Sequence, residues 1–338
     1  MRHLACLVLL LSVGTGFAQE DSWVGKTIIT KRLDAKLIQF DAKGKQVNPA
    51  PLDDSIHYRV LADKGAQIKV VTTQGVEGWM DKNDAVRPED AVKHFTEAIV
   101  ANPKDAGAYQ KRAYAFELEG KFDSALRDLT DAIHLEFYDM AGYNSRGIVY
   151  TAKKEYDQAL RDFSLAIRYD PTHPAGYCNR GNVFLAKKEY GKAVNDYNAA
   201  LRRDPRLAYP YNQRGLARFL NKDYDDALDD FDTAQKLEPS SAAAHLNRAR
   251  LLATAGAKKY CDGKKAVAEV KTSLKLDKYP GPDALEIIAA AHAEAGNFPE
   301  AIRWQERAIE AHPAEGRASA RARARLLLYN AKTPYRQE

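Results

Sequence analysis

The feature that most constrains this chain is a 34-residue period that runs ungapped through four blocks, 106–139, 140–173, 174–207 and 208–241. The fourth position of the blocks reads Tyr109, Tyr143, Tyr177, Tyr211, and the eighth reads Ala113, Gly147, Gly181, Gly215. The twentieth is alanine throughout (Ala125, Ala159, Ala193, Ala227), as is the twenty-seventh (Ala132, Ala166, Ala200, Ala234). The twenty-fourth is Leu129, Phe163, Tyr197, Phe231, and position 32 is Phe137, then Pro171, Pro205, Pro239. A period of this length means small units that cannot bury their apolar faces alone and so stack on one another.

Each position has a physical reason. Two antiparallel helices per block, A over positions 2–14 and B over 18–31, need small residues where their axes approach, which places position 8 against the alanine at 20. Aromatics fill the remaining space, because interiors pack at crystal-like density. Proline at position 32 lacks an N–H and disfavours helical geometry before it, so helix B stops there. This pattern resembles the tetratricopeptide repeat at every one of these positions.

The resemblance extends in both directions. Residues 242–281 read as a fifth block (His245, Ala249, Leu252, Ala266, Val270, Ser273) with a five-residue insertion around Lys259–Gly263, and 282–315 as a sixth. Ala91, Phe95, Ala98 and Pro103 match the second half of a block, so 88–103 reads as a lone B-type helix. Residues 315–330 supply a final helix whose leucines Leu326, Leu327 and Leu328 cover the last core, since terminal repeats need a cap. Position 7 carries Arg112, Arg146, Arg180, Arg214 and Arg248, and position 23 carries Asp128, Asp162, Asp196, Asp230 and, past the insertion, Glu269. Both change together in the sixth block, to Ile288 and Trp304, so the arginine and carboxylate are expected to pair within each block. The other reading is a basic stripe for an acidic ligand.

Ahead of the repeats, residues 23–86 change texture. Short alternating or β-branched runs (26–30, 36–40, 57–61, 67–72, 76–80) separated by turn signals predict five strands and a small barrel. The stretch Gly75 to Val86, with Gly78-Trp79 entering a strand, resembles the end of a bacterial SH3-like domain. That resemblance implies peptide binding, cell-wall stem peptides included, with Trp23, Tyr58 and Trp79 as an aromatic groove; the alternative is that these rings are core. The loop 41–55, with Gly44, Pro49 and Pro51, is expected to move most. The fold class expected is therefore mainly α, a tetratricopeptide-repeat superhelix over 88–330 preceded by a small SH3-like β-barrel over 23–86.

The first residues look like an address. Arg2 and His3 precede the apolar run Leu4–Val13, and small residues follow, which matches a signal peptide, 1–18, cleaved after Ala18. Ten apolar residues are too few for a membrane helix, which needs about 20. The mature chain is expected to be exported, periplasmic or extracellular, with no transmembrane segment. Cys178 and Cys261 are then the only cysteines left; two repeats of stacking between them predict free thiols.

Catalytic motifs are missing. There is no Gly-rich phosphate loop outside the leader, no Gly-x-Ser-x-Gly, no His-Glu-x-x-His and no Cys-x-x-Cys. The histidines occupy different repeat positions, so no metal site or cofactor is expected. A net charge of +5 over 338 residues is too small for a nucleic-acid-binding field. What remains is a non-enzymatic scaffold that takes a peptide or protein segment on the concave face lined by the A helices. The expected groove residues are Gln110, Tyr114, Asn144, Ile148, Asn182, Leu185, Asn212, Leu216, Phe219 and Arg250, amides for the ligand backbone and apolar residues for its side chains. Position 5 carries no lysine in any block, so the carboxylate clamp known in some relatives is absent. A cell-envelope module that binds wall peptide through the barrel, and an enzyme whose site folding assembles, remain the alternatives.

Overall fold

The computed structural model describes residues 27–31, 36–37, 50–51, 57–71, 77–136, 139–311 and 317–337. The leader 1–18, Trp23 and most of the 41–55 loop lie outside the described residues. By packing, the chain divides into two compact units, Met1–Tyr169 and Asp170–Glu338.

The first unit begins with a five-stranded antiparallel sheet of order β6-β5-β4-β1-β7, built from β1 (Thr27–Thr30), β4 (His57–Lys64), β5 (Gln67–Val71), β6 (Glu77–Asp81) and β7 (Ala85–Val86). A separate pair joins β2 (Lys36–Leu37) to β3 (Ala50–Pro51). Alternation in β5 and β6 turns Ile68, Val70 and Met80 inward, with Ile68 opposite Met80. They close a core with Ile28, Leu37, Tyr58 and Val60. The bulge between Val60 and Ala62 turns Leu61 outward, where it is exposed. The strands predicted at 26–30, 57–61, 67–72 and 76–80 are present with ends within three residues of those expected; of 36–40, Lys36–Leu37 is a strand and the rest lies outside the described residues.

Helices follow immediately. Pro88 opens α1 (Pro88–Ala101), and Asp90 pairs with the Arg87 guanidinium at 2.9 Å beside the helix start. Ile29 and Val86 of the sheet pack with Ala91 and Phe95 of α1 and Ala115 of α2 (Ala106–Leu118). The buried Lys111 reaches from α2 to the Lys31 carbonyl at 2.9 Å. Then come α3 (Phe122–Leu135), α4 (Met140–Ala152) and α5 (Tyr156–Tyr169).

The second unit holds α6 (Pro174–Ala186), α7 (Tyr190–Arg203), α8 (Ala208–Leu220), α9 (Tyr224–Leu237), α10 (Ala242–Thr254), α11 (Gly263–Leu276), α12 (Pro282–Glu294), α13 (Phe298–Ala311) and α14 (Arg317–Asn330). Every A and B helix of the six blocks is present, each starting one position earlier than expected, while the lone B-type helix starts at Pro88 as expected. At three of the A helices a side-chain cap fixes the early start, the residue before the block being the N-cap. Asp105 accepts from the Ala108 amide, Asp139 from those of Ala141 and Gly142, and His173 from that of Ala175.

Helix pairing within a block differs in one detail from the expectation. A Cβ placed on Gly147 would lie 2.7 Å from the Phe163 ring, one on Gly181 2.9 Å from Tyr197, and one on Gly215 2.8 Å from Phe231. The glycine at position 8 thus makes room for the aromatic at 24 first, because a ring needs more clearance than the neighbouring alanine.

The arginine–carboxylate pairs form as the spacing implied. Arg112 meets Asp128, Arg146 meets Asp162, Arg180 meets Asp196 and Arg214 meets Asp230, each through two hydrogen bonds of 2.5–2.9 Å. The third nitrogen reaches sixteen residues back, from Arg112 to Thr96, Arg146 to Thr130 and Arg214 to Asn198. Each of these three arginines therefore fastens its own helix B and the preceding one. In the fifth block Arg248 divides its bonds between Asp232 behind and Glu269 ahead. In the sixth, Ile288 and Trp304 pack together in an apolar cluster instead.

Candidate functional site

In the first unit the A helices α2 and α4 carry four of the expected groove residues. Gln110 is half-buried and its amide donates to Asp139 at 2.7 Å, so it braces the cap of α4. Tyr114 turns toward the sheet junction beside Phe95 and Val86, and burial raises its phenol's pKa. Asn144 and Ile148 are half-buried on α4. One turn beyond Tyr114, Glu117 lies half-buried, and burial pushes its carboxyl pKa up to about 7.

In the second unit Asn182 accepts from the Tyr197 hydroxyl at 2.8 Å and is half-buried. Leu185 and Leu216 are half-buried against the cores below them. Two residues depart from the expectation. Asn212 is only 6 % exposed, and its carbonyl accepts from Asn247 at 3.1 Å, tying α8 to α10. Phe219 is 2 % exposed and belongs to the core, with Tyr224, Phe231 and Leu251. The fifth-block insertion explains this, since its Ala257, Tyr260 and Cys261 pack onto the same cluster.

Arg250 is the distinctive member. It is half-buried on α10, and among the described residues its guanidinium makes no hydrogen bond or ion pair. Burial lowers its pKa; Asp283 and Glu286 of α12 oppose that shift, while Arg325 and Arg321 of α14 add to it. Glu286 is committed elsewhere, to an ion pair with Arg325. No group of three or more His, Cys, Asp or Glu side chains able to hold a metal ion occurs among the described residues.

Of the three aromatics considered for the barrel, Tyr58 is core and Trp79 is half-buried with the Lys64 ammonium 5.1 Å from its ring. Cys178 and Cys261 are both free thiols. No described helix is long and apolar enough to cross a membrane.

Family models of the tetratricopeptide repeat match residues 84–139, 147–187, 174–207, 212–259 and 262–316. A search of curated proteins by sequence returns no match. Among solved structures, the Cut9–Hcn1 hetero-tetramer of the APC/C is similar at a TM-score of 0.61 and 15 % identity, over 71 % of this chain and 46 % of that one. A tetratricopeptide-repeat protein from Parabacteroides merdae gives 0.57 at 17 % identity, over 74 % and 93 % of the two chains. Yeast Tom70 gives 0.51 at 22 %, over 72 % and 52 %. The chain thus spans about half the length of two of these three, and the likeness is one of fold. On its helical pairs, their 34-residue frame and these matches, the chain belongs to the tetratricopeptide-repeat proteins.

Proposed function

We propose that this chain is a non-enzymatic adaptor that holds a peptide or protein segment along its A helices. Tetratricopeptide-repeat proteins are as a class protein–protein interaction scaffolds, and extended repeat faces are the surfaces such proteins bind with. The observation that carries the reading is Arg250, a half-buried cation with no hydrogen bond or ion pair among the described residues, opposed only at longer range by Asp283 and Glu286. A desolvated guanidinium is costly alone and strongly favours a carboxylate. In the same unit as Arg250, Leu185 and Leu216 of the A helices are half-buried and offer apolar contacts. The leader-like residues 1–18 support an exported adaptor working in the periplasm or outside the cell.

A second reading keeps the SH3-like resemblance and has the sheet bind cell-wall peptide through Trp79, the half-buried aromatic of the sheet. Crosslinking capture from the native envelope fraction separates the two. Wild type is compared with Leu216→Ala/Arg250→Ala and with Trp79→Ala, after circular dichroism shows all three fold alike. A partner lost only from the first variant supports the adaptor reading. Capture unchanged by that variant overturns it, and wall co-sedimentation lost from Trp79→Ala establishes the second reading.

A further inference from the structure

The A helices of five repeats end alike. A residue with left-handed φ follows each (Gly120, Lys154, Lys188, Lys222 and Gly296), and the next amide bonds back five residues, as Glu155 does to Tyr150. This turn satisfies the last carbonyls of the helix. Helix α10 is the exception. The insertion removes the left-handed residue, and the Asp262 amide takes the Leu252 carbonyl at 2.9 Å. The Gly256 amide, which by analogy would serve Ala253, instead donates to the Tyr224 hydroxyl at 3.1 Å. The carbonyls of Ala253 and Thr254 are left without a partner from their own repeat.

The segment 331–337 supplies both. Arg336 Nη1 donates to the Ala253 carbonyl at 3.3 Å, and the Gln337 amide donates to that of Thr254 at 2.8 Å. A cation at a helix C-terminus also complements the helix dipole. The second guanidinium nitrogen of Arg336 lies 2.6 Å from Glu294, a side chain 9 % exposed at the end of α12. Tyr335 packs on Ala289, Ala293 and Tyr329, with the Arg325 guanidinium 4.1 Å from its ring.

The fit is incomplete. Tyr329 Oη, beside the Tyr335 ring, is buried and makes no hydrogen bond among the described residues. Buried polar groups left unsatisfied are costly and mark a site that a better-aligned ligand can improve.

We propose that the end of α10, with Glu294 and the alanine face of α12, is a peptide socket selective for an aromatic–arginine pair, and that Tyr335-Arg336-Gln337 is its exchangeable resident. The ligand that exchanges with it is a protein segment carrying the same pair. The assignment rests on the α10 terminus and is independent of the Arg250 reading.

The test titrates a fluorescein-labelled peptide of residues 331–338, Ala-Lys-Thr-Pro-Tyr-Arg-Gln-Glu, into full-length protein and follows anisotropy. The resident lowers the fraction of open socket, so full-length Tyr335→Ala/Arg336→Ala binds about tenfold more tightly than wild type. Adding Glu294→Gln to that variant, or replacing the peptide's arginine by alanine, removes the gain. Equal affinity for wild type and variant, or binding indifferent to the peptide's arginine, overturns the proposal. A measurement on wild type alone does not depend on the variant folding. With excess unlabelled peptide, the Gln337 amide loses its hydrogen-exchange protection; protection that persists at saturating peptide overturns the exchange.

Discussion

Arg146 and Asp162, sixteen residues apart, meet through two parallel hydrogen bonds of 2.8 and 2.9 Å, with the carboxylate only 5 % exposed. Removing the carboxylate leaves a largely buried guanidinium with one bond, to Thr130. Asp162→Ala is therefore expected to cost about 3 kcal/mol, read from urea unfolding. The double variant Arg146→Met/Asp162→Leu should lose less than the single one, because it leaves no orphaned charge. A single variant indistinguishable from wild type would show the pair to be idle.

Glycine has opposite values at two positions of one repeat. Gly147→Ala forces a methyl to 2.7 Å from the Phe163 ring and should destabilise by about 2 kcal/mol. Lys154 sits at φ 62°, a conformation that costs an L-residue about 1 kcal/mol, so Lys154→Gly should raise the melting temperature. A fall in the second variant would contradict the left-handed turn.

Glu117 makes stability depend on pH. Its folded pKa of about 7 is raised above the unfolded value by burial, so the folded chain holds its proton more tightly. The associated stability is fully present below the unfolded carboxyl pKa and is lost as pH rises through about 7. Glu117→Gln should flatten that decline and stabilise the protein at pH above neutrality by on the order of 3 kcal/mol. Melts in a pH series check it; a decline that persists unchanged in the variant assigns it to another group.

The two free thiols of the repeats should react unequally. Burial pushes Cys178 up to about 12, whereas Cys261, also raised by burial, is half-buried in the insertion. Iodoacetamide at mildly alkaline pH is expected to modify Cys261 first and Cys178 only on unfolding. Peptide mapping that finds Cys178 labelled in the native protein would refute its burial.

The helical part of the fold was legible because a 34-residue frame reports the same environment several times over. Position 7 and position 23 showed their partnership by changing together at Ile288 and Trp304. The backward bonds of the arginines had a signal too, in Thr96, Thr130, Asn198 and Asp232 at one polar position, but a single threonine looks like any solvated residue. The groove was harder to read. Whether Phe219 faces ligand or core depends on what the insertion residues Tyr260 and Cys261 do, and an insertion has no repeat from which to infer it. The amides of Gln110 and Asn212 are spent on neighbouring helices, a matter of distance that register alone cannot supply. The contacts of Arg336 bridge 83 residues to Ala253 and follow no period at all.

The arginine staples bear on how such a chain changes length. Because Arg112, Arg146 and Arg214 each look sixteen residues back and sixteen ahead, an extra copy of one block finds the same polar residue behind it and the same carboxylate ahead. Duplication of a whole repeat preserves every such fastening at the new junction, whereas loss of a single residue breaks two at once. Growth by tandem copying is thereby built into the chemistry of one side chain.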